Sequence, residues 1–177
     1  TKGAVTGKTY SVSNVTNVSD DGFTLTFGAS GFDANRYVEN GNRIMYFNGP
    51  TGAQTLEFDL AFGAKMSDSK FGIVVGGSDD VFYIENKLAG DGVIRLCNKN
   101  WDYAEDIALS ALADLHVKIV RNGGDATFTL TCDGKSVTKT WSGVDGGVST
   151  LSFWGFNSNA GEANITATVS NLVITDN

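Results

Sequence analysis

Thr55-Leu56-Glu57-Phe58-Asp59-Leu60-Ala61-Phe62 sets Leu56, Phe58, Leu60 and Phe62 on one side of an extended chain, and Thr55, Glu57, Asp59 and Ala61 on the other. Successive side chains of a strand point to opposite faces, so this stretch reads as a strand with one side in a core and the other in water. The same alternation runs through residues 126–132, where Phe128, Leu130 and Cys132 interleave with Thr127, Thr129 and Thr131, and through 115–119. Working outward, similar runs occupy 10–18, 23–27, 43–47, 71–75, 81–85, 92–97, 136–141, 148–156 and 165–174. Turn chemistry separates them. Asp20-Asp21-Gly22, Asn40-Gly41-Asn42, Asn48-Gly49-Pro50, Asn122-Gly123-Gly124-Asp125 and Asp133-Gly134 supply residues that accept positive φ or cap turns with their own side chains. About a dozen short strands at this spacing, with a single proline, predict an all-β, two-sheet antiparallel sandwich. The helix candidate is 103–115, where Ile107, Ala108, Ala111, Leu112 and Leu115 fall at roughly helical spacing. It lacks a strong C-cap and runs straight into a strand, so it counts for one short helix or turn at most.

Composition bounds the function. The 177 residues carry no composition break, linker or repeat, so 1–177 reads as one domain long enough to bury a core. Hydrophobic residues at 41 % against 19 % charged exclude a disordered acidic segment. No apolar run approaches the ~20 residues of a bilayer-spanning helix. A formal charge of −7, from 13 Lys+Arg against 20 Asp+Glu, disfavours nucleic acid and anionic lipid as partners. One histidine, His116, and two cysteines exclude a Cys/His zinc cluster. Cys97 and Cys132 either pair across strands or stand as buried thiols, and both readings remain open. Asp20-Asp21, Asp79-Asp80 and Asp176 either serve turns or contribute oxygens to a structural calcium. Asn14, Asn17 and Asn164 open glycosylation sequons of the kind that arise by chance in a Thr/Asn-rich chain.

Leu112-Ala113-Asp114-Leu115-His116-Val117-Lys118-Ile119-Val120-Arg121-Asn122-Gly123-Gly124, followed by Phe128 to Asp133-Gly134-Lys135, resembles the central hairpin of concanavalin A-like and laminin-G-like jelly rolls, a pattern shared with many carbohydrate-binding modules. Ser170-Asn171-Leu172-Val173-Ile174 is similar to the last strand of that superfamily, and Leu151-Ser152-Phe153-Trp154-Gly155-Phe156 to a strand on which such modules display an aromatic. The resemblance spans roughly 54–176. It implies a jelly-roll sandwich whose concave sheet takes a glycan. A sugar ring presents an apolar C–H face and a fringe of hydroxyls, so its site needs an aromatic platform and short polar groups.

Trp101 and Tyr103, in the polar stretch Asn98-Lys99-Asn100-Trp101-Asp102-Tyr103, are the expected stacking residues, with Asn98 and Asn100 beside them. Trp141 joins them because its face, with Val137 and Lys139, reads as partly solvated; Trp154 reads as core packing. Glu57 and Asp59, on the non-core face of their strand, are expected to hydrogen-bond sugar hydroxyls. Glu-Phe-Asp is similar to the catalytic strand of jelly-roll hydrolases that cut β-glucans, whose acid/base lies four or five residues after the nucleophile; here Ala61 and Phe62 stand there. His116 has no nucleophile elbow near it in sequence and reads as a surface residue. The expectation is thus a non-catalytic carbohydrate-binding module, secreted or on a cell surface, within a larger carbohydrate-active protein. Its partner is a β-glucan, xylan or mannan, it requires no cofactor beyond a possible structural calcium, and neither nucleic acid nor membrane insertion is expected. The alternatives are an adhesive jelly-roll domain with a protein partner and a glycoside hydrolase.

Overall fold

The computed structural model describes residues 8–9, 15–19, 21–28, 44–47, 53–75, 80–144, 150–159 and 161–177. The strands are β1 (Lys8–Thr9), β2 (Val15–Ser19), β3 (Gly22–Phe27), β4 (Ile44–Phe47), β5 (Gln54–Phe62), β6 (Ser69–Val75), β7 (Val81–Lys87), β8 (Val93–Asn98), β9 (Ile107–Ala108), β10 (Leu115–Asn122), β11 (Asp125–Cys132), β12 (Lys135–Ser142), β13 (Thr150–Asn157) and β14 (Ile165–Asp176). They form two seven-stranded sheets. The first runs β1-β4-β13-β6-β7-β8-β9 and the second β12-β11-β10-β5-β14-β3-β2. Every pairing is antiparallel. The sequence signals at 10–14, 40–42 and 48–50 lie outside the described residues.

Alternation decides the second sheet. In β5, buried and half-buried residues alternate along the whole strand, and Leu56, Phe58 and Leu60 are at most 2 % exposed. Leu115, Val117 and Ile119 of β10 and Ala126, Phe128 and Leu130 of β11 turn inward with them. Asp133 and Gly134 both have positive φ, 50° and 72°, as the mirror-image two-residue turn of a hairpin requires. This turn and the Gly123-Gly124 turn make β10-β11-β12 a continuous meander. From the first sheet, Phe71, Ile73, Phe82, Ile84, Leu96, Leu151 and Phe153 complete one inter-sheet core. Phe153 sits at its centre, with ring centroids 5.1 Å from Phe23, 5.3 Å from Phe58 and 5.6 Å from Phe71.

Two expectations change. Residues 103–115 are not helical: they form an irregular segment containing the short β9. Ile107 and Leu109 alternate inward against exposed Ala108, and the Leu109 N–H donates to the Gly92 carbonyl at 2.9 Å. Docking as an extended edge segment satisfies both the apolar side chains and the backbone, so tertiary pairing outweighs local helical spacing. The cysteines are both free. Cys97 belongs to the first sheet and Cys132 to the inter-sheet core of the second, so they are not neighbours on adjacent strands. Among the described residues no helix is long and apolar enough to cross a membrane.

Candidate functional site

The outer face of the first sheet is where the simple alternation rule breaks. Strand register aligns Trp154 with Gly72, Gly72 with Tyr83 and Tyr83 with Cys97; the next row is Phe156, Lys70, Glu85 and Arg95. These positions face away from the inter-sheet core. Yet Val74, Val81, Tyr83, Cys97, Trp154 and Phe156 are buried together as a second apolar cluster. Trp154 packs in a core, as the sequence predicts, and that core is this outer one. Gly72 makes room for it: a Cβ there would lie 2.3 Å from the indole Nε1. Trp154 stacks on Phe156 at 5.2 Å and 22°, and Tyr83 meets both edge-on at 5.8 and 6.1 Å.

Trp101 caps this bed. Its indole stacks on Tyr83 at 5.7 Å and 14°. The turn that delivers it is built by Asn98, whose Oδ1 accepts from the N–H groups of Asn100 (2.9 Å) and Asp102 (3.1 Å), while the Trp101 N–H donates to the Asn98 carbonyl at 3.0 Å. Trp101 itself has φ 61°. A bulky residue in the left-handed region costs roughly 1–3 kcal/mol and persists only where its surroundings enforce it. Trp101 and Tyr103 are 41 % and 42 % exposed, as the sequence predicts. Tyr103 pairs with Cys97 at the sheet edge and lies under the Arg95 guanidinium at 5.1 Å, which Asp106 holds through bonds of 2.7 and 2.8 Å.

Beneath Trp101 lies a buried ion pair. Lys70 Nζ contacts Asp68 (2.5 Å), Ser158 Oγ (2.9 Å) and Glu85 (3.2 Å), and lies 5.7 Å from the Trp101 ring centroid and 5.8 Å from that of Phe156. The Lys70 and Glu85 side chains are 6 % and 3 % exposed. Neither the aromatic bed nor this pair was picked out by sequence reading, although Gly72 opposite two aromatics was a usable signal once the register was known.

Trp141 corrects an expectation. It is buried at 6 %, packs against Phe82 and Phe128 of the core, and donates its indole N–H to Asp102 at 2.8 Å. Lys139 does share its face. Because β12 is the edge strand, the ammonium reaches out past the indole to Asp102 and to the Tyr103 carbonyl, leaving the Trp inside. Asp102 thereby ties the Trp101 turn to the opposite sheet. Its hydrogen bond from Lys139, and then that from Trp141, hold its carboxyl below its ordinary value of 3.8. The carboxylate-dependent anchorage is therefore present above that ordinary value and is lost as pH falls through the lowered one. We expect tryptophan emission to hold constant from about pH 5 upward and to change below about pH 4; a transition centred near neutrality would contradict the assignment.

A small cleft of about 120 Å³ opens at this end of the sandwich. It brings together Asn98, Asn100 and Trp141, three of the expected residues, with Asp80, Phe82 and Ser142. Glu57 and Asp59 are not part of this assembly, because β5 belongs to the second sheet and they point away from the core on its far side. There Glu57 pairs with Lys118 at 3.1 Å, and Asp59 accepts from Asn171 at 2.7 Å and contacts His116 Nδ1 at 2.8 Å. Asn171, at φ 55° where the β14 register shifts, is aimed at Asp59 by that bulge. The Asn171 bond first, and then His116, lower the Asp59 pKa. Around them this face carries hydroxyl pairs such as Thr127–Thr140 and Thr129–Thr138, at 2.8 and 2.9 Å. Of the calcium candidates, Asp20, Asp79 and the Asp176 side chain lie outside the described residues; among those described, no three His, Cys, Asp or Glu side chains form a metal cluster.

No protein-family model matches the chain, and no curated protein matches it in sequence. Solved structures do share its fold. One is a functionally unknown protein from Saccharomyces cerevisiae, with a TM-score of 0.63 at 10 % identity over 98 % of this chain and 96 % of that one. A second is the GH43 protein BlXynB of Bacillus licheniformis, with a TM-score of 0.60 at 13 % identity over 97 % of this chain and 39 % of that one. A third is botulinum neurotoxin type C, whose cell entry depends on two ganglioside molecules, with a TM-score of 0.50 at 13 % identity over 98 % of this chain and 41 % of that one. The chain thus spans nearly all of the yeast protein and about two-fifths of the other two. At these identities the likeness is one of fold, a two-sheet jelly-roll sandwich.

Proposed function

We propose that this chain is a non-catalytic carbohydrate-binding module that holds a neutral polysaccharide of the β-glucan, xylan or mannan class. It would work within a larger, secreted or surface-attached carbohydrate-active protein. The observation that carries this reading is the exposed pair Trp101 and Tyr103, with Trp101 laid flat on a buried aromatic bed and turned outward by a strained turn. An indole that is 41 % exposed and held in place by stacking is pre-positioned for the C–H face of a sugar ring. Asn100, Lys99 and Asp102 supply hydrogen-bonding groups at its rim. The carbohydrate-active and ganglioside-dependent proteins that share the fold agree with this reading. Glu57 and Asp59, each engaged by basic or amide partners on neighbouring strands of their own sheet, favour a surface role for those carboxylates over a hydrolytic one.

The test is affinity electrophoresis on soluble β-glucan, xylan and mannan. Trp101→Ala is expected to weaken binding at least tenfold, since truncating an aromatic anchor costs about 2 kcal/mol. Glu57→Gln, on the far face, is expected to bind like wild type. If no polysaccharide retards the protein, or if Trp101→Ala and Tyr103→Ala bind unchanged, the reading fails.

A further inference from the structure

We infer that Lys139, on the edge strand of the opposite sheet, is the positioning residue of the aromatic platform. Its ammonium clamps the backbone that carries Trp101 and Tyr103, and through them sets how tightly a glycan is held. This rests on the carbohydrate reading above and adds what controls that site. The need for a clamp starts at Trp101. A φ of 61° is a left-handed conformation that a residue with a bulky side chain leaves unless its neighbours enforce it. Asn98 enforces it from the N-terminal side, by accepting the N–H groups of Asn100 and Asp102. On the C-terminal side the support from the first sheet is thinner. Tyr103 meets β8 through an isolated bridge to Cys97, the Ala104 N–H donates to the Leu96 carbonyl at 2.9 Å, and regular pairing with β8 resumes at Ile107.

Lys139 closes that gap. Its Nζ donates to the Tyr103 carbonyl at 2.8 Å and to the Asp102 carboxylate. One atom thus holds both the residue that follows Trp101 and the backbone of Tyr103 itself. Trp141, on the same strand, donates its N–H to the other oxygen of that carboxylate at 2.8 Å. Asp102 is therefore gripped on both oxygens from β12. The Trp141 ring also guides the lysine, whose Nζ lies 5.6 Å from the ring centroid and whose side chain is 26 % exposed. Lys135 supplies the comparison. It stands on the same strand and donates to a carbonyl of the same segment, that of Ala108, but beyond Tyr103, where β9 already pairs with β8. The chemistry is shared and only the point of attachment differs.

A platform that is in place for only a fraction of the time binds with its affinity reduced by that fraction. Lys139→Met keeps the stem and removes the donors. It is expected to weaken binding about three- to tenfold on whichever of soluble β-glucan, xylan or mannan retards the wild type. Its melting temperature is expected to shift by less than about 4 °C, since an ion pair open to solvent adds little to stability. Lys139→Arg, with donors for both acceptors, is expected to bind within about twofold of wild type, and Lys135→Met to bind like wild type.

A second readout needs no glycan. Acrylamide quenching of Trp101, taken as the difference between each protein and the same protein carrying Trp101→Phe, is expected to rise in Lys139→Met and to stay unchanged in Lys135→Met. If Lys139→Met binds and quenches like wild type, or if Lys135→Met weakens binding as much, the clamp is overturned while the Trp101 platform stands. A large loss of melting temperature shared by Lys139→Met and Lys139→Arg would make Lys139 a packing residue and overturn the inference as well. If quenching rises as expected but no polysaccharide retards the wild type, the carbohydrate reading falls and the clamp on Trp101 stands.

Discussion

Phe153→Ala is expected to remove about 3–5 kcal/mol of unfolding free energy, the range for a large aromatic deleted from a core that cannot collapse around the gap. Phe153 is fully buried and its ring meets three others, two of them from the facing sheet. Both sheets are fixed by antiparallel ladders, so little backbone can move inward to fill the void. For a domain whose whole stability is about 5–15 kcal/mol, that is a large share. Urea denaturation reads it directly: the midpoint should fall with the slope unchanged. A loss below about 1 kcal/mol would mean that the aromatic cluster is not the keystone of the inter-sheet core.

The second large effect belongs to the ion pair under Trp101. Lys70→Ala strands Glu85, whose side chain is only 3 % exposed, without its ammonium partner. Removing one member of a buried pair costs about 3–5 kcal/mol, mostly as the penalty of the charge left behind. The double variant Lys70→Met, Glu85→Leu removes both charges at similar volume and is expected to recover most of the loss. Thermal melting of the single and double variants decides it. A single variant as stable as wild type would show that the pair is hydrated rather than sealed by Trp101 and Phe156.

The sandwich was legible because most of its strands are half-buried. β5, β10 and β11 announce their inward faces in an unbroken alternation, and Asp133-Gly134 announces the turn. Trp101 and Tyr103 were legible as exposed because polar neighbours surround them outside any alternating run. The pattern runs out where strands are covered on both sides. β6, β7 and β13 are buried along almost their whole length, so nothing local tells Trp154, on the outer face, from Phe153, on the inner. The second buried layer depends on a loop folding back from β8, a non-local event. Glu57 and Asp59 lie apart from Trp101 for a related reason. Alternation says that a residue points away from its own core, but which of two opposed surfaces it joins is set by strand order. Trp141 fails because a lysine beside it was read as solvent, when an edge strand lets that side chain leave the face it starts on.

The position of β14 has a consequence for how the molecule is made. This strand, the latest of those described, is inserted between β5 and β3, and pairs with β3 along Ile165–Val169 and with β5 between Ala167 and Asp176. During synthesis the ribosome releases β3 and β5 long before the segment that joins them. Until Ile165–Asp176 has emerged, each holds a row of open amides and carbonyls beside an apolar flank, the kind of surface to which another nascent chain can add. The β10-β11-β12 meander needs no such wait, since its partners are neighbours in sequence. Maturation therefore proceeds from a self-sufficient meander to a late closure, and a transcript cut short before β14 yields two unzipped halves of the second sheet.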